Sequence, residues 1–165
     1  SERAVPLAVK VTGETLHYKI MEAGAGLIVE TLEQIGRGEI TPRKQDEALA
    51  THVGKLTRAM GLIDWKKDAA FIERLLRGLT PWPGAYTFYR GRQLKIWEAD
   101  VPAQEETDVY PAGVVRVEKD FFDVATGEGI LRVRSLQLEG KRRMQVKEFL
   151  LGYELSPGEF LGQEQ

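Results

Sequence analysis

The sequence predicts a mostly β carboxy-terminal domain, a small five- to six-stranded barrel of the OB type with flanking helices, that follows a helical segment and a linker. Three observations predict this fold class. Apolar residues recur at helical spacing in the first 40 residues, residues 39–57 are polar and lack a sustained period, and five strand-like runs with short turns follow Pro83. Five short strands joined by tight turns are typical of a small OB-type barrel.

The first helix is predicted from seven apolar residues that would share one face. Thr12 is a plausible N-cap, and Gly36 and Gly38 would end the helix. Gly24 and Gly26 lie inside the pattern, where glycine is unfavourable; they suggest a kink, a break between two helices, or close packing against another element. The apolar residues are Leu16, Ile20, Ala23, Leu27, Ile28, Leu32 and Ile35.

A single helix with a broad apolar face cannot bury that face by itself. The polar stretch that follows contains Pro42 and Gly54 and offers no obvious partner surface, so we interpret it as a linker. We therefore expect three parts: residues 1–38 as the tail of a larger domain, residues 39–60 as a linker, and residues 61–165 as a second domain.

The second domain is predicted to begin with a helix and to continue as strands. Asp68 stands at the start of an apolar helical pattern that Gly78 and the prolines 81 and 83 end. Arg90-Gly91-Arg92 is a hairpin signal between the first two strands. The predicted strands cover residues 85–89, 93–99, 114–118, 121–125 and 130–138, an acidic loop covers residues 100–111, and a short helix covers residues 146–151.

Composition excludes several classes of site. The sequence has no Cys, which rules out disulfides, thiolate zinc sites and a cysteine nucleophile, and it suits a reducing cytoplasm. His17 and His52 are too isolated in sequence to suggest a metal site, so we expect none. No apolar run approaches the ~20 residues that a membrane span needs, and we expect no membrane association. The net charge is −2, so any affinity for nucleic acid depends on how the charges are placed.

Several motifs occur in the order and spacing of one enzyme family. They are IDW at residues 63–65, AAFIERLLRGLTPWPGAYT at 69–87, LKIWEA at 94–99, ATGEGILRVRSLQLEGKRRM at 125–144 and EFLLG at 148–152. Together they resemble the carboxy-terminal domain of methionyl-tRNA formyltransferases. TGETLHYKIMEAGAGLIVETLEQI at residues 12–35 resembles the last helical part of the catalytic domain of that family. Leu79-Thr80 departs from the Phe-Asn that commonly precedes PWP.

The resemblance implies a function and also what this chain lacks. It implies that the intact enzyme moves a formyl group from 10-formyltetrahydrofolate to the amino group of methionyl-initiator tRNA, and that residues 1–38 are a helical remnant of a Rossmann-like α/β domain. The catalytic Asn, His and Asp of the family belong to that upstream domain, whereas this sequence has no Asn and its two His lie outside the motif. We expect no catalytic residue and no cofactor in this fragment, inactivity on its own, a cytoplasmic location and a monomer.

With initiator methionyl-tRNA as the implied partner, nine cations are candidate contacts to RNA. The cluster Lys141, Arg142, Arg143 and Lys147 is the strongest of them, because lysine and arginine contacts to phosphate supply most sequence-independent affinity. The alternative for each is an ordinary solvated charge. Trp65, Trp82 and Trp97 are predicted to plug the core. The remaining candidates are Arg90, Arg92 and Lys95 around the hairpin, and Lys55 and Arg58 in the linker.

Two other functions remain open from the sequence. One is a related formyltransferase with another acceptor, either an amino sugar nucleotide or a folate-linked enzyme, which an acidic or apolar barrel face would favour over a basic one. The other is a stand-alone OB-type binding module, against which the unpartnered first helix argues.

Overall fold

The computed structural model describes residues 1–103 and 109–162. The chain divides into two compact units, Ser1–Leu56 and Thr57–Gln165. The boundary between them falls inside the stretch that the sequence predicts to be a linker.

The first unit is built on one long helix. Helix α1 spans Gly13–Gly36, and Thr12 caps it by accepting a hydrogen bond from the backbone N–H of Thr15 at 3.2 Å. The helix runs through Gly24 and Gly26 without a break, and a Cβ at Gly26 would lie only 3.3 Å from the guanidinium of Arg3. Of the three explanations for these glycines, the structure therefore supports close packing for Gly26. No residue of α1 is buried.

The second unit contains the sheet. The predicted helices and strands are confirmed within a few residues at each end, and β6 is a two-residue strand that the sequence pattern did not predict. Residues 104–108 of the predicted acidic loop lie outside the described residues. The elements are α2 Ala69–Gly78, β1 Ala85–Tyr89, β2 Arg92–Asp100, β3 Val114–Val117, β4 Phe122–Ala125, β5 Ile130–Leu138, β6 Met144–Gln145 and α3 Val146–Phe149; 3-10 helices cover Glu47–Leu49 in the first unit and Arg58–Gly61 in the second.

The six strands form one antiparallel sheet in the order β1-β2-β5-β4-β3, with β6 beside β5. Within the described residues β1 and β3 do not pair, so strand pairing leaves the sheet open. The segment at residues 158–162 bonds to both edges. The N–H of Gly162 donates to the carbonyl of Phe88, and the N–H of Leu161 donates to the carbonyl of Ala112, each at 2.9 Å.

The core lies on the inner face of this sheet. Side chains of α2, α3 and all five long strands fill it, and the largest that are fully buried include Ile72, Phe122 and Phe149. Trp65 is 6% exposed, and its indole N–H donates to the buried hydroxyl of Thr87 at 3.0 Å. The prediction that Trp65 belongs to the core is confirmed.

The same prediction is wrong for Trp82, whose side chain is 54% exposed. The two inward positions of this loop are taken by Leu79 and Pro83, which are buried, and the N–H of Gly84 donates to the carbonyl of Leu79 at 2.9 Å. The loop therefore turns Trp82 outward. The peptide bonds before Pro81 and Pro83 are both cis. Trp97 is only half-buried, on the outer face of β2.

Candidate nucleic-acid interface

The outer face of the β1–β2 hairpin carries aromatic and cationic side chains. Arg90 and Gly91 both have positive φ angles, 48° and 72°, and form a two-residue turn that pairs Tyr89 with Arg92. This register places Tyr86 opposite Lys95 across the two strands. Because neighbouring residues in a strand point to opposite faces, Tyr86, Phe88, Lys95 and Trp97 point outward while Ala85, Thr87, Leu94 and Ile96 are buried.

Two cations lie over the ring of Trp97. The guanidinium carbon of Arg143 is 5.2 Å from the ring centroid and the amine of Lys95 is 5.9 Å from it. The indole N–H donates to the side-chain oxygen of Gln137 on β5 at 3.2 Å. We call this surface the Trp97 face and define it by Tyr86, Phe88, Lys95, Trp97, Gln137 and Arg143.

The cations of the Trp97 face are held by few partners. Arg143 donates to the hydroxyl of Ser135 at 3.1 Å and to the carboxylate of Glu98, and the amine of Lys95 is 3.5 Å from the carbonyl of Pro83. Glu98 is therefore the one carboxylate bonded to this face among the contacts of the described residues. Two cations against one carboxylate leave the face with an excess of positive charge.

A second group of cations follows the turn between β5 and β6, which residues 139–143 form with Gly140 at φ 74°. We call Lys141, Arg142 and Lys147 the turn cluster. Arg142 pairs with Glu148 at 2.8 Å. Lys141 and Lys147 are exposed, and neither has an ion-pair partner in the described part of the chain.

Glu148 is the anion beside Arg142 and Lys147 of the turn cluster. Its carboxylate accepts a hydrogen bond from the backbone N–H of Gln145 at 3.1 Å, which is the main reason why the pKa of Glu148 is lowered. The hydrogen bond from Arg142 lowers the pKa further. A carboxylate held ionised at the first turn of α3 also satisfies the helix start, as in a capping box.

Arg90 and Arg92 have structural partners at the hairpin turn. Arg90 pairs with Glu159 at 2.8 Å, and this hydrogen bond raises the pKa of the Arg90 guanidinium. Arg92 donates to the carbonyl of Glu139 at 2.7 Å. The three cations predicted around the hairpin thus differ in their contacts, because Arg90 and Arg92 bond to other parts of the fold and only Lys95 belongs to the Trp97 face.

Lys55 and Arg58 lie on either side of the unit boundary. Lys55 belongs to the first unit, and Arg58 belongs to the 3-10 helix that opens the second. Both side chains are exposed. In residues 1–103 and 109–162 neither forms an ion pair, so these two cations stay predicted contacts without a structural grouping.

A third cluster, around Phe121, was not predicted from the sequence. The guanidinium carbons of Arg132, Arg134 and Arg116 lie 4.0, 4.9 and 5.8 Å from the centroid of the Phe121 ring. Asp123 is fully buried beneath them and accepts hydrogen bonds from Arg116 and Arg132. Arg134 donates to Asp100 at 3.4 Å and to Asp120 at 3.3 Å. Among the contacts of the described residues, this cluster sets three arginines against three aspartates.

Sequence reasoning also missed the aromatic part of the Trp97 face, because Trp97 was assigned to the core. The signal was present as a period-2 alternation. In AYTFY and QLKIW the outward positions hold Tyr86, Phe88, Lys95 and Trp97, and the two-residue turn fixes which of them are opposite.

The comparison with protein families decides the classification of this fold. Residues 55–154 match the family described as formyl transferase, C-terminal domain. The chain belongs to this family. The matched range includes the Trp97 face, the turn cluster and the Phe121 cluster.

Relatives of this formyltransferase C-terminal domain extend the similarity over almost the whole chain. The methionyl-tRNA formyltransferase of Lachnospira eligens is 45% identical over 163 residues, which are 96% of this chain and 52% of the relative. Those of Citrifermentans bemidjiense and Caldanaerobacter subterraneus are 38% and 41% identical, over 99% and 97% of this chain and 50% and 51% of the relatives. The chain thus spans about half the length of the curated relatives it matches.

Solved structures show the same fold at lower identity. A crystal structure of a HypX variant from Aquifex aeolicus has a TM-score of 0.66 and 20% identity over 94% of this chain and 28% of HypX. HypX in complex with tetrahydrofolic acid has a TM-score of 0.56 and 18% identity over 83% of this chain and 26% of HypX.

Across residues 1–103 and 109–162, no three His, Asp or Glu side chains are grouped so that they could hold a metal ion. No helix in those ranges is both long enough and apolar enough to cross a membrane.

Proposed function

We propose that the chain is the carboxy-terminal, tRNA-binding portion of a methionyl-tRNA formyltransferase. The intact enzyme would transfer a formyl group from 10-formyltetrahydrofolate to the amino group of methionyl-initiator tRNA, in the cytoplasm and as a monomer. The observation that carries this proposal is the name shared by relatives that are 38–45% identical over 96–99% of the chain. That shared name favours tRNA over an amino sugar nucleotide or a folate-linked acceptor.

The domain organisation follows from the same proposal. Residues 1–38 would be the helical end of the Rossmann-like catalytic domain, residues 39–60 the linker, and residues 61–165 the carboxy-terminal domain. Support comes from α1, which buries no residue and exposes Ile20, Ile28 and Leu32 by more than half. Such an apolar helix face is typically covered by the remainder of a domain.

The carboxy-terminal domain would be an OB-like barrel whose last segment completes the wall. Hydrogen bonds from residues 158–162 to β1 and to the loop before β3 support this, since they join the two free edges of the sheet. A folate co-substrate would bind to the catalytic half, and the tetrahydrofolic acid in the HypX complex is consistent with folate use by a protein that contains this fold.

The RNA would be held mainly through its phosphates by the turn cluster. Lys141 and Lys147 are exposed amines, and Arg142 is 77% exposed although it pairs with Glu148. Each such contact releases counterions from the RNA, and it positions the substrate without reading sequence. Arg90, Arg92, Lys55 and Arg58 would be secondary contacts.

Salt dependence of tRNA binding tests this proposal. Affinity of the 165-residue chain for initiator tRNA, measured by fluorescence anisotropy from about 50 to 200 mM salt, should fall steeply because phosphate contacts release counterions. Replacing Lys141, Arg142 and Lys147 together with Ala should reduce the slope of log affinity against log salt by up to about 2–3.

The matched control removes the same charge from the α2 side of the unit. Replacing the exposed cations Lys66, Lys67 and Arg74 with Ala should leave the slope within about 1 of the wild-type value. Both triple variants should keep the stability of the parent, because exposed charges contribute only about 0–1 kcal/mol each. Equal slopes for the parent and the turn-cluster variant, or no tRNA binding at low salt, would contradict the proposal.

A further inference from the structure

Aromatic rings that are half-exposed on a sheet face need an explanation that phosphate contacts do not give. On the Trp97 face, Tyr86, Phe88 and Trp97 are each only partly buried by the unit to which they belong. The Tyr86 and Phe88 rings meet edge to face with their centroids 5.9 Å apart. Three partly buried rings therefore lie on the outer face of two neighbouring strands, together with the cation Lys95, which is opposite Tyr86.

We propose that the Trp97 face binds unpaired nucleotides of an RNA, whose bases stack on Trp97 and on the Tyr86–Phe88 pair. This inference rests on the proposed function for its partner and adds a second mode of binding, which is distinct from the phosphate contacts of the turn cluster. Every base has a flat π-face, so stacking on an aromatic side chain accepts any sequence. Lys95 and Arg143 beside the rings would hold the adjoining phosphates.

The two cations over Trp97 lie beyond contact distance from its ring. Carbon atoms in contact lie about 3.5–4.0 Å apart. Arg132 reaches the Phe121 ring at 4.0 Å and is already at that distance, whereas Arg143 and Lys95 stand 5.2 and 5.9 Å from the centroid of Trp97. A base that stacks on Trp97 would therefore displace cations that are not in contact with the ring.

Hydrogen bonds hold the Trp97 ring in one orientation in the absence of a ligand. The indole N–H donates to the side-chain oxygen of Gln137, and the amide nitrogen of Gln137 donates to the carbonyl of Lys141 at 2.8 Å. The ring is thus linked to the turn that carries Lys141, and a ring held in advance loses less conformational entropy when a ligand binds. The same link makes the Trp97 face and the turn cluster neighbours, so one RNA can contact both.

Charge favours a polyanion over an apolar partner. The Trp97 face has two cations and one bonded carboxylate, and the side chain of one of the cations, Arg143, is 45% exposed. An apolar protein partner would have to cover these charges at a desolvation cost. A single-stranded RNA supplies both the rings and the anions that the face can bind.

The test compares a single-stranded probe with a paired one. A labelled hexauridylate and a labelled RNA hairpin, whose two strands are joined by a non-nucleotide linker so that every base is paired, are titrated with the 165-residue chain by fluorescence anisotropy. Trp97→Ala should weaken hexauridylate binding about 5- to 100-fold, because one stacking platform is lost, and should change hairpin binding by less than about 3-fold. Trp97→Phe, which keeps a π-face, should recover most of the loss.

The matched control is Phe71→Ala, which removes an aromatic side chain of α2 that is 41% exposed and lies away from the Trp97 face. It should bind hexauridylate as the parent does. Unfolding midpoints of all variants verify that the proteins are folded at the assay temperature. Trp97→Leu, which fills the position without a π-face and should bind hexauridylate more weakly than Trp97→Phe, tests the inference even if Trp97→Ala unfolds.

Three results would overturn the inference. The first is that Trp97→Ala does not weaken hexauridylate binding, and the second is that the parent chain binds the hairpin but not hexauridylate. The third is that a polyglutamate of the same charge displaces hexauridylate as well as RNA does, which would show that the Trp97 face binds any polyanion by charge alone. The proposed function fails separately, when tRNA and the hairpin show no binding to the parent chain at low salt.

Discussion

Arginine side chains lie over the rings of Phe121 and Trp97 in the second unit, and the carboxylates around these two rings differ. At Phe121, within the part of the chain that the structure describes, three arginines face three aspartates, one of which is fully buried. At Trp97 one arginine and one lysine face a single bonded glutamate. Cations whose hydrogen-bonding capacity is satisfied inside the fold stabilise it, whereas an excess of cations leaves charge available to a ligand. The comparison predicts a structural role at Phe121 and a binding role at Trp97.

The largest effect should come from Asp123, the fully buried carboxylate under Phe121. Asp123→Asn removes the buried anion to which the guanidinium groups of Arg116 and Arg132 bond, and removing one partner of a buried ion pair costs about 3–5 kcal/mol. We expect the lower end of that range because the side chain of Arg116 is 40% exposed. Urea denaturation followed by circular dichroism measures the loss.

Stability of the Asp123→Asn protein within about 0.5 kcal/mol of the parent would break the comparison. It would mean that Arg116 and Arg132 do not depend on Asp123 for an anion, and that the carboxylates do not distinguish the Phe121 cluster from the Trp97 face. Asp46→Asn in the first unit is the control, since Asp46 is exposed and caps only a three-residue 3-10 helix.

A smaller effect is expected at the ring itself. Phe121→Ala removes the contacts with Arg116, Arg132 and Arg134 but leaves their aspartates, and cation–π contacts contribute about 0.5–1 kcal/mol each at exposed sites. We expect a loss of about 1–2 kcal/mol in the free energy of unfolding and no change in the affinity for hexauridylate. The same variant measured in denaturation and in anisotropy checks both parts.

If Phe121→Ala weakened RNA binding as strongly as Trp97→Ala, the balance of charges would not be what separates the two clusters. The functional assignment would then have to extend to the outer face of β4 and β5, where Arg132 and Arg134 lie.

Much of the fold could be predicted from the sequence because its signals are local. Thr12 and Asp68 cap the two helices that periodicity predicts, and the Arg90-Gly91 turn sets the hairpin register. The direction of a side chain in an irregular loop has no such signal. Trp82 was assigned to the core on size and composition, but Leu79 and Pro83 fill the inward positions and the indole is exposed.

The candidate sites were predictable only as separate charges. Sequence spacing grouped Arg143 with Lys141, yet the structure brings Arg143 to Trp97 and Glu98 on a strand more than 40 residues away. The Phe121 cluster needs the pairing of Asp123 with Arg132 across β4 and β5, which depends on register. Ion pairs between distant positions decide which cations are engaged, and a single sequence does not give those pairs.

The smallest effect concerns Glu148, the carboxylate inside the turn cluster. Because the backbone N–H of Gln145, and then Arg142, lower the pKa of Glu148 below its usual value of 4.5, the ionised form stabilises the folded state. That contribution is fully present above about pH 4.5 and is lost as the pH falls through the lowered pKa. Glu148→Gln keeps an acceptor for Gln145 without the charge, so the parent should be slightly more stable at pH 7 and the difference should vanish in acid. Urea denaturation of both proteins from pH 7 to pH 3 measures this difference in stability.

In the triple variant that lacks Lys141, Arg142 and Lys147, the pH-dependent difference between the proteins with and without Glu148→Gln should shrink but persist. The hydrogen bond from Gln145, which is the main cause of the lowered pKa, remains in that variant. Complete loss of the pH-dependent difference in the triple variant would show that the neighbouring cations, and not the cap of α3, keep Glu148 ionised. The Glu148 carboxylate would then already occupy the position proposed for an RNA phosphate.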